Sequence, residues 1–259
     1  MKYFSKTRLL SFLIGLCSII SMWLVWVICQ NLINNEYVLP SFSSVIKSLF
    51  SLVLEGFFYR ALYKTMLKVF IAFILSLFLA CVFSTLCYVF KGFGVFFKPF
   101  LAVVRTLPTM AILVIILLYA NAFFSPIWVA VLVLFPMMFS SLTIGFNSID
   151  DGLIGAMKVF NLSKKDRIFK VYIPNILPHI AFNMGANLSF SVKLVISAEV
   201  MAYTFTSIGG MMQSANGTMD IARLMALTLV AVLLGLIIEF VCYLIFKNSF
   251  KWQREGGDD

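Results

Sequence analysis

Charge is what this sequence has least of: Asp, Glu, Lys and Arg together make up 12% of 259 residues, and histidine occurs once. A water-soluble domain averages about 25%. Cysteine occurs five times (Cys17, Cys29, Cys81, Cys87, Cys242), but no CxxC pair is present and all five lie in apolar stretches. They read as small hydrophobes, which argues against a disulfide framework, a metal site or redox chemistry. No GxxxxGK[ST] loop occurs, and the glycines nearest to basic residues, Gly92 and Gly94, lack the Lys-Ser/Thr that such a phosphate loop needs. Nothing in the chain points to ATP hydrolysis or to any other enzymatic activity of its own. Internal repeats and low-complexity segments are also missing.

What is abundant is apolar sequence. Hydrophobic residues make up 62% of the chain, and the mean hydropathy is +1.02, so a bilayer must cover most of the surface. A membrane-spanning helix needs about 20 mostly apolar residues. Six runs satisfy this, at approximately Leu9 to Cys29, Thr65 to Phe90, Phe100 to Ala120, Ser125 to Ile144, Ile180 to Thr204 and Ile221 to Phe246. The first follows MKYFSKTR as a signal peptide would, but it is as long as a full span and no small-x-small cleavage site follows, so an uncleaved helix is expected.

The formal net charge of +9 could suggest nucleic acid. Instead, the basic residues gather beside apolar runs, as they do where a polytopic chain faces anionic lipid. Lys2, Lys6 and Arg8 precede the first span. Lys91, Lys98 and Arg105 lie around the connection from second to third, Lys158, Lys164, Lys165, Arg167 and Lys170 in that from fourth to fifth, and Lys247, Lys251 and Arg254 after the last. With six spans all these sets fall on one side. The positive-inside rule makes that side the cytoplasm, holding both termini. Lys64 and Lys68, at the outer start of the second span, are expected to snorkel to the surface.

Two connections are too long for turns. In residues 31–64, on the outer side, Pro40 and Ser41 introduce an amphipathic stretch in which Val45, Leu49, Leu52 and Val53 recur at helical spacing. In residues 146–178, on the cytoplasmic side, Asp150 and Asp151 can cap a helix carrying Ile154, Met157 and Phe160 as one apolar stripe. Asn161 tolerates a left-handed helix end, Ser163 can cap a second helix from Lys164 to about Tyr172, and Pro174 should stop it. Such a hairpin could rest on the bilayer surface or fit a groove in a soluble partner.

The stretch GAMKVFNLSKKDRIFKVYIPNILPHI, Gly155 to Ile180, resembles the cytoplasmic EAA loop of binding-protein-dependent ABC importer permeases. Ala156 matches the first Ala of that pattern, Asn161 falls at its Gly, and Ile173-Pro174 with Pro178 match its end. Gly155 stands where Glu is usual, and Met157 where the second Ala is. VLPSFSSVIKSL (Val38 to Leu49), RTLPTMAILVIILLYA (Arg105 to Ala120) and KLVISAEVMAYTFTSIGGMM (Lys193 to Met212) are similar in order and spacing to segments of the nitrate/sulfonate/taurine-type branch.

The resemblance implies an all-α, polytopic fold of the type I ABC importer permease kind, residues 1–259 forming one permease domain with a cytoplasmic coupling helix. It implies two ATPase subunits that use ATP, a second permease copy forming a homodimer, an extracytoplasmic solute-binding protein and membrane lipid as partners, and no cofactor bound by this chain. The solute would be a small sulfonate, nitrate or similar anion, or a vitamin precursor. Ala156, Met157, Lys158, Phe160, Asn161 and Leu162 would dock on the ATPase, with Phe160 and Leu162 as anchors and Lys158, Lys164 and Lys165 steering. Lys193 and Glu199 in the fifth span, and Arg105 at the head of the third, are the candidate intramembrane polar or pathway residues. Six positions separate Lys193 from Glu199, so they sit on neighbouring helix faces and direct pairing is not expected. An ion-driven secondary carrier is the competing class, although it would normally show more spans and paired repeats.

Overall fold

Backbone amides in hydrocarbon have no water to bond, so a chain this apolar must satisfy them within helices or a closed barrel. In the computed structural model, which describes residues 2–249, the chain takes the helical solution, with no strand among the described residues. Its helices are α1 (Lys2–Ile33), α2 (Phe42–Leu54), α3 (Gly56–Val89), α4 (Lys91–Thr106), α5 (Thr109–Tyr119), α6 (Ser125–Asn147), α7 (Asp151–Val159), α8 (Lys164–Asp166), α9 (Ile173–Met201), α10 (Ile208–Gly217) and α11 (Ile221–Ser249), with a wide π-type stretch at Arg167–Tyr172 leading into α9. Lys251 and Arg254 lie outside the described residues, as do the side chains of Lys2, Lys6, Arg8, Asp151, Lys158, Lys164, His179 and Lys247.

The centre of the bundle is α3, α6 and α9, with α11 packed on α9, and α2 on α11. On α3 the buried positions Ala61, Thr65, Lys68, Ala72, Ser76 and Ala80 recur every three or four residues. Small side chains on that stripe let the neighbouring backbones approach, which is how helices associate in lipid. Phenylalanines fill the seam between α3, α4 and α6: Phe83 stacks on Phe97 with ring centroids 5.0 Å apart, and Phe97 meets Phe139 at 5.6 Å. The amphipathic α2 is present, with Ser41 capping it by accepting from the Ser44 amide at 3.2 Å. Val45 and Leu52 are buried, whereas Val53 is exposed.

Four helices (α1, α3, α6, α11) are long and apolar enough to cross a membrane, and two bent pairs bring the number to six. One bend falls where Pro108 suggests broken backbone, and the other corrects an expectation. The third run, Phe100 to Ala120, breaks at Leu107-Pro108 and turns by 96° between α4 and α5. Proline lacks the amide that would continue the ladder and forces Leu107 into an extended conformation, at φ −65° and ψ 129°. Pro174, by contrast, does not stop the helix after Tyr172. The preceding turns are widened to the π type, which takes up the proline, and the chain runs on into α9 with a 60° bend between residues 167–178 and 183–201.

Candidate functional site

The hairpin at one end of the bundle is built by local capping. Asp150 accepts from the Gly152 amide at 2.5 Å and starts α7. At its end Asn161 adopts φ 46°, and the Leu162 amide reaches back to the Met157 carbonyl at 3.2 Å, a left-handed helix stop. Ser163 accepts from the Asp166 amide at 3.1 Å, and its hydroxyl donates to the Asp166 carboxylate at 2.6 Å. Lys170 lies 2.7 Å from that carboxylate, and together with Ser163 holds it below the usual carboxyl range, so it stays ionised at neutral pH. Arg167 donates through Nε to the Leu162 carbonyl at 2.9 Å, pinning the tip from behind.

The expected docking residues divide. Phe160 is 77% exposed and Val159 82%, at the tip, with Asn161 exposed and Leu162 and Ala156 half-buried. Met157, by contrast, is 3% exposed and turned into the chain, away from the exposed tip. The apolar stripe splits because α7 ends at Val159: Ile154 and Met157 stay on the inward helix face, while Phe160 lies beyond the last helical turn. Sequence periodicity missed this because it carried the helix one residue too far.

At the other end of α3 lies a buried charge pair. Lys68 Nζ donates to Glu199 Oε1 at 2.7 Å, both side chains being fully buried. Thr65 donates to Glu199 Oε2 at 2.9 Å and accepts from the Ile208 amide at 3.0 Å, while the Gly209 amide donates to Oε2 at 3.2 Å. Lys68 also sits 5.1 Å from the Phe123 ring centroid. The network joins α3, α9 and α10. Gly209 and Gly210 are required there, since a Cβ on the first would collide with Glu199 Cβ and a Cβ on the second with the Thr204 carbonyl.

Lys68 therefore does not snorkel. Its position near a predicted span end suggested an outward side chain, but α3 begins nine residues earlier than the apolar run, at Gly56 rather than Thr65, and Lys68 falls on its buried stripe. The alternation of small and polar residues from Ala61 to Ser84 was the available signal. Lys193 is exposed on α9 and does not join Glu199.

Arg105, a candidate intramembrane polar residue, packs against a spanning-length helix. Its guanidinium reaches α6, donating to the Pro136 carbonyl at 3.3 Å and to the Ser140 hydroxyl. Pro136 lies in the middle of the 23-residue α6. The connection after α3 is not a surface loop, because α4 folds back along α6 and carries Arg105 inward in its last turn. A groove of about 280 Å³ opens there, lined by Arg105, Thr109, Val133, Pro136, Ser140 and Phe190 among others.

An all-helical bundle with an exposed hairpin and charges buried within helices of spanning length defines a multi-pass membrane protein, and the fold is that of type I ABC importer permeases. One solved neighbour is an amino acid ABC transporter, at TM-score 0.63 and 13% identity, covering 74% of this chain and 94% of that one. Another is the inward-facing MetNI methionine ABC transporter, at TM-score 0.61 and 16% identity over 75% and 97% of the two chains. Residues 78–254 match the family of binding-protein-dependent transport system inner membrane components, and the chain belongs to that family. Among curated proteins it is 20% identical, over 89% of this chain and 84% of the relative, to a Bacillus subtilis (strain 168) protein carrying the name aliphatic sulfonates transport permease protein SsuC. The chain is thus a transport permease rather than an enzyme, and the family match favours the ABC importer over the ion-driven carrier.

Proposed function

We propose that this chain forms the translocation pathway of an importer for a small sulfonate-type anion, driven by ATP hydrolysis on a separate subunit that docks at the α7–α8 hairpin. The observation that carries the docking is the tip itself: an aromatic left 77% exposed on a turn whose base is capped at Asp150, Ser163 and Asp166 and pinned by Arg167. Lys165 and Lys170 beside it are exposed and suit an acidic rim on the partner. The basic residues near this end support a cytoplasmic location for it and for both termini. Two copies of the chain, two ATPase subunits and an extracytoplasmic solute-binding protein complete the assembly. Support for the solute class comes from the sulfonate permease relative.

Covering Phe160 in a groove is worth about 1.5–3 kcal/mol. Phe160→Ala should therefore lose the ATPase from the tagged chain extracted from its native membrane in mild detergent, while the chain itself stays folded and inserted. Mass spectrometry of the co-purified proteins reads this directly. Equal ATPase recovery from wild type and Phe160→Ala would sink the docking assignment, and absence of any ATPase from the wild-type sample would sink the importer reading.

A further inference from the structure

A guanidinium near the middle of a spanning helix cannot face lipid without a cost on the order of 2.5–3.5 kcal/mol. Arg105 lies in the last turn of α4, at the corner of the bent α4–α5 pair, and packs against the middle of α6, a helix long and apolar enough to span. Its side chain meets α6 at Pro136 and Ser140, about 10–17 Å from the Asn147 end at 1.5 Å per residue. Its partners are neutral acceptors: the ion pairs among the described residues are Lys68–Glu199, Lys170–Asp166 and Arg223–Glu55, and Arg105 has no carboxylate. The side chain is nonetheless exposed, at the mouth of the groove between α4, α5, α6 and α9. A cation that is held deep, uncompensated and open on one side needs water or an anion on that side.

We propose that this groove is an anion subsite on the solute pathway, with Arg105 as its counter-charge, receiving the sulfonate or carboxylate head of a small organic acid. The proposal rests on the permease reading and deepens it by assigning one face of the chain to the pathway. The right-angled break at Leu107-Pro108 is what shapes the subsite: it turns α5 away from α4 just after Arg105, so that Arg105 and Thr109 line one groove against α6. Thr109 and Ser140 supply hydroxyls beside the charge, while Ile112, Val133 and Phe190 provide walls that would accept a short alkyl tail. The volume, about 280 Å³, suits a solute of a few heavy atoms rather than a drug-sized one.

The test uses the full chain in native membrane vesicles, with its five cysteines replaced by serine or alanine and one introduced in the groove. Thr109→Cys is the first site and Val133→Cys the second, in case the first fails to insert. Each is treated with two thiol reagents of matched size, 2-sulfonatoethyl methanethiosulfonate and its trimethylammonium counterpart. The expected result is at least tenfold faster modification by the anionic sulfonate reagent, relative to their rates on free cysteine, and loss of that preference when Arg105→Met is added. Equal relative rates, no reaction by either reagent at either site, or a preference that survives Arg105→Met would overturn the proposal. Because the readout is on this chain, it does not depend on the ATPase. Probing the same vesicles for a co-purifying ATPase separates failure of the subsite from failure of the importer reading.

Discussion

Lys68 and Glu199 place opposite charges in a region where either alone would be untenable. Their 2.7 Å contact is supported by Thr65 and the Gly209 amide, so every oxygen of the carboxylate is occupied. Removing one partner strands the other, which costs about 3–5 kcal/mol, whereas removing both is far milder. Lys68→Met should therefore lower the thermal unfolding midpoint of the detergent-purified chain markedly, and Lys68→Met with Glu199→Gln should recover a large part of the loss. A single mutant as stable as wild type would contradict burial of the pair. Glu199 was visible in the sequence as a charge inside an apolar run. Lys68 was not, because partner choice depends on which face of α3 meets α9, and hydropathy is blind to faces.

The helices and turns show how far local chemistry reads true. Asn161 at a left-handed position and Ser163 as a cap follow from side-chain hydrogen bonding over a few residues, and both are found as the sequence indicates. Pro174 as a helix stop fails because the wide turn before it, Arg167–Tyr172, absorbs the missing amide. The size and direction of the 96° corner were hidden, since a proline announces a break but not the direction of the chain after it. At Asn161 the left-handed backbone costs a residue with a Cβ about 1–2 kcal/mol, and a β-branched one more. Asn161→Gly should keep ATPase recovery at the wild-type level, while Asn161→Val should reduce it towards that of Phe160→Ala. Pull-downs of the three variants side by side would show whether tip shape or tip chemistry matters.

At the scale of the whole molecule, the ends of the bundle are held differently. Opposite the hairpin, Arg223 at the start of α11 forks onto Glu55 at the start of α3, at 2.9 and 2.6 Å. Both side chains are about a third exposed, so solvent limits the pair to about 1 kcal/mol. Glu55→Gln should lower the unfolding midpoint only slightly, and less at high salt. At the hairpin end no ion pair between separate long helices occurs among the described residues, but there is a continuous rod: the π-type stretch, its 60° elbow and α9 are one run of helix from Arg167 to Met201. That shape is a crank. The short arm, residues 167–178, is about 18 Å long and stands off the axis of the long arm by about 16 Å. A turn of α9 by roughly ten degrees about its own axis would sweep the hairpin through about 3 Å, and a push of that size on the hairpin would twist the far end of α9, where Glu199 is anchored, by the same angle.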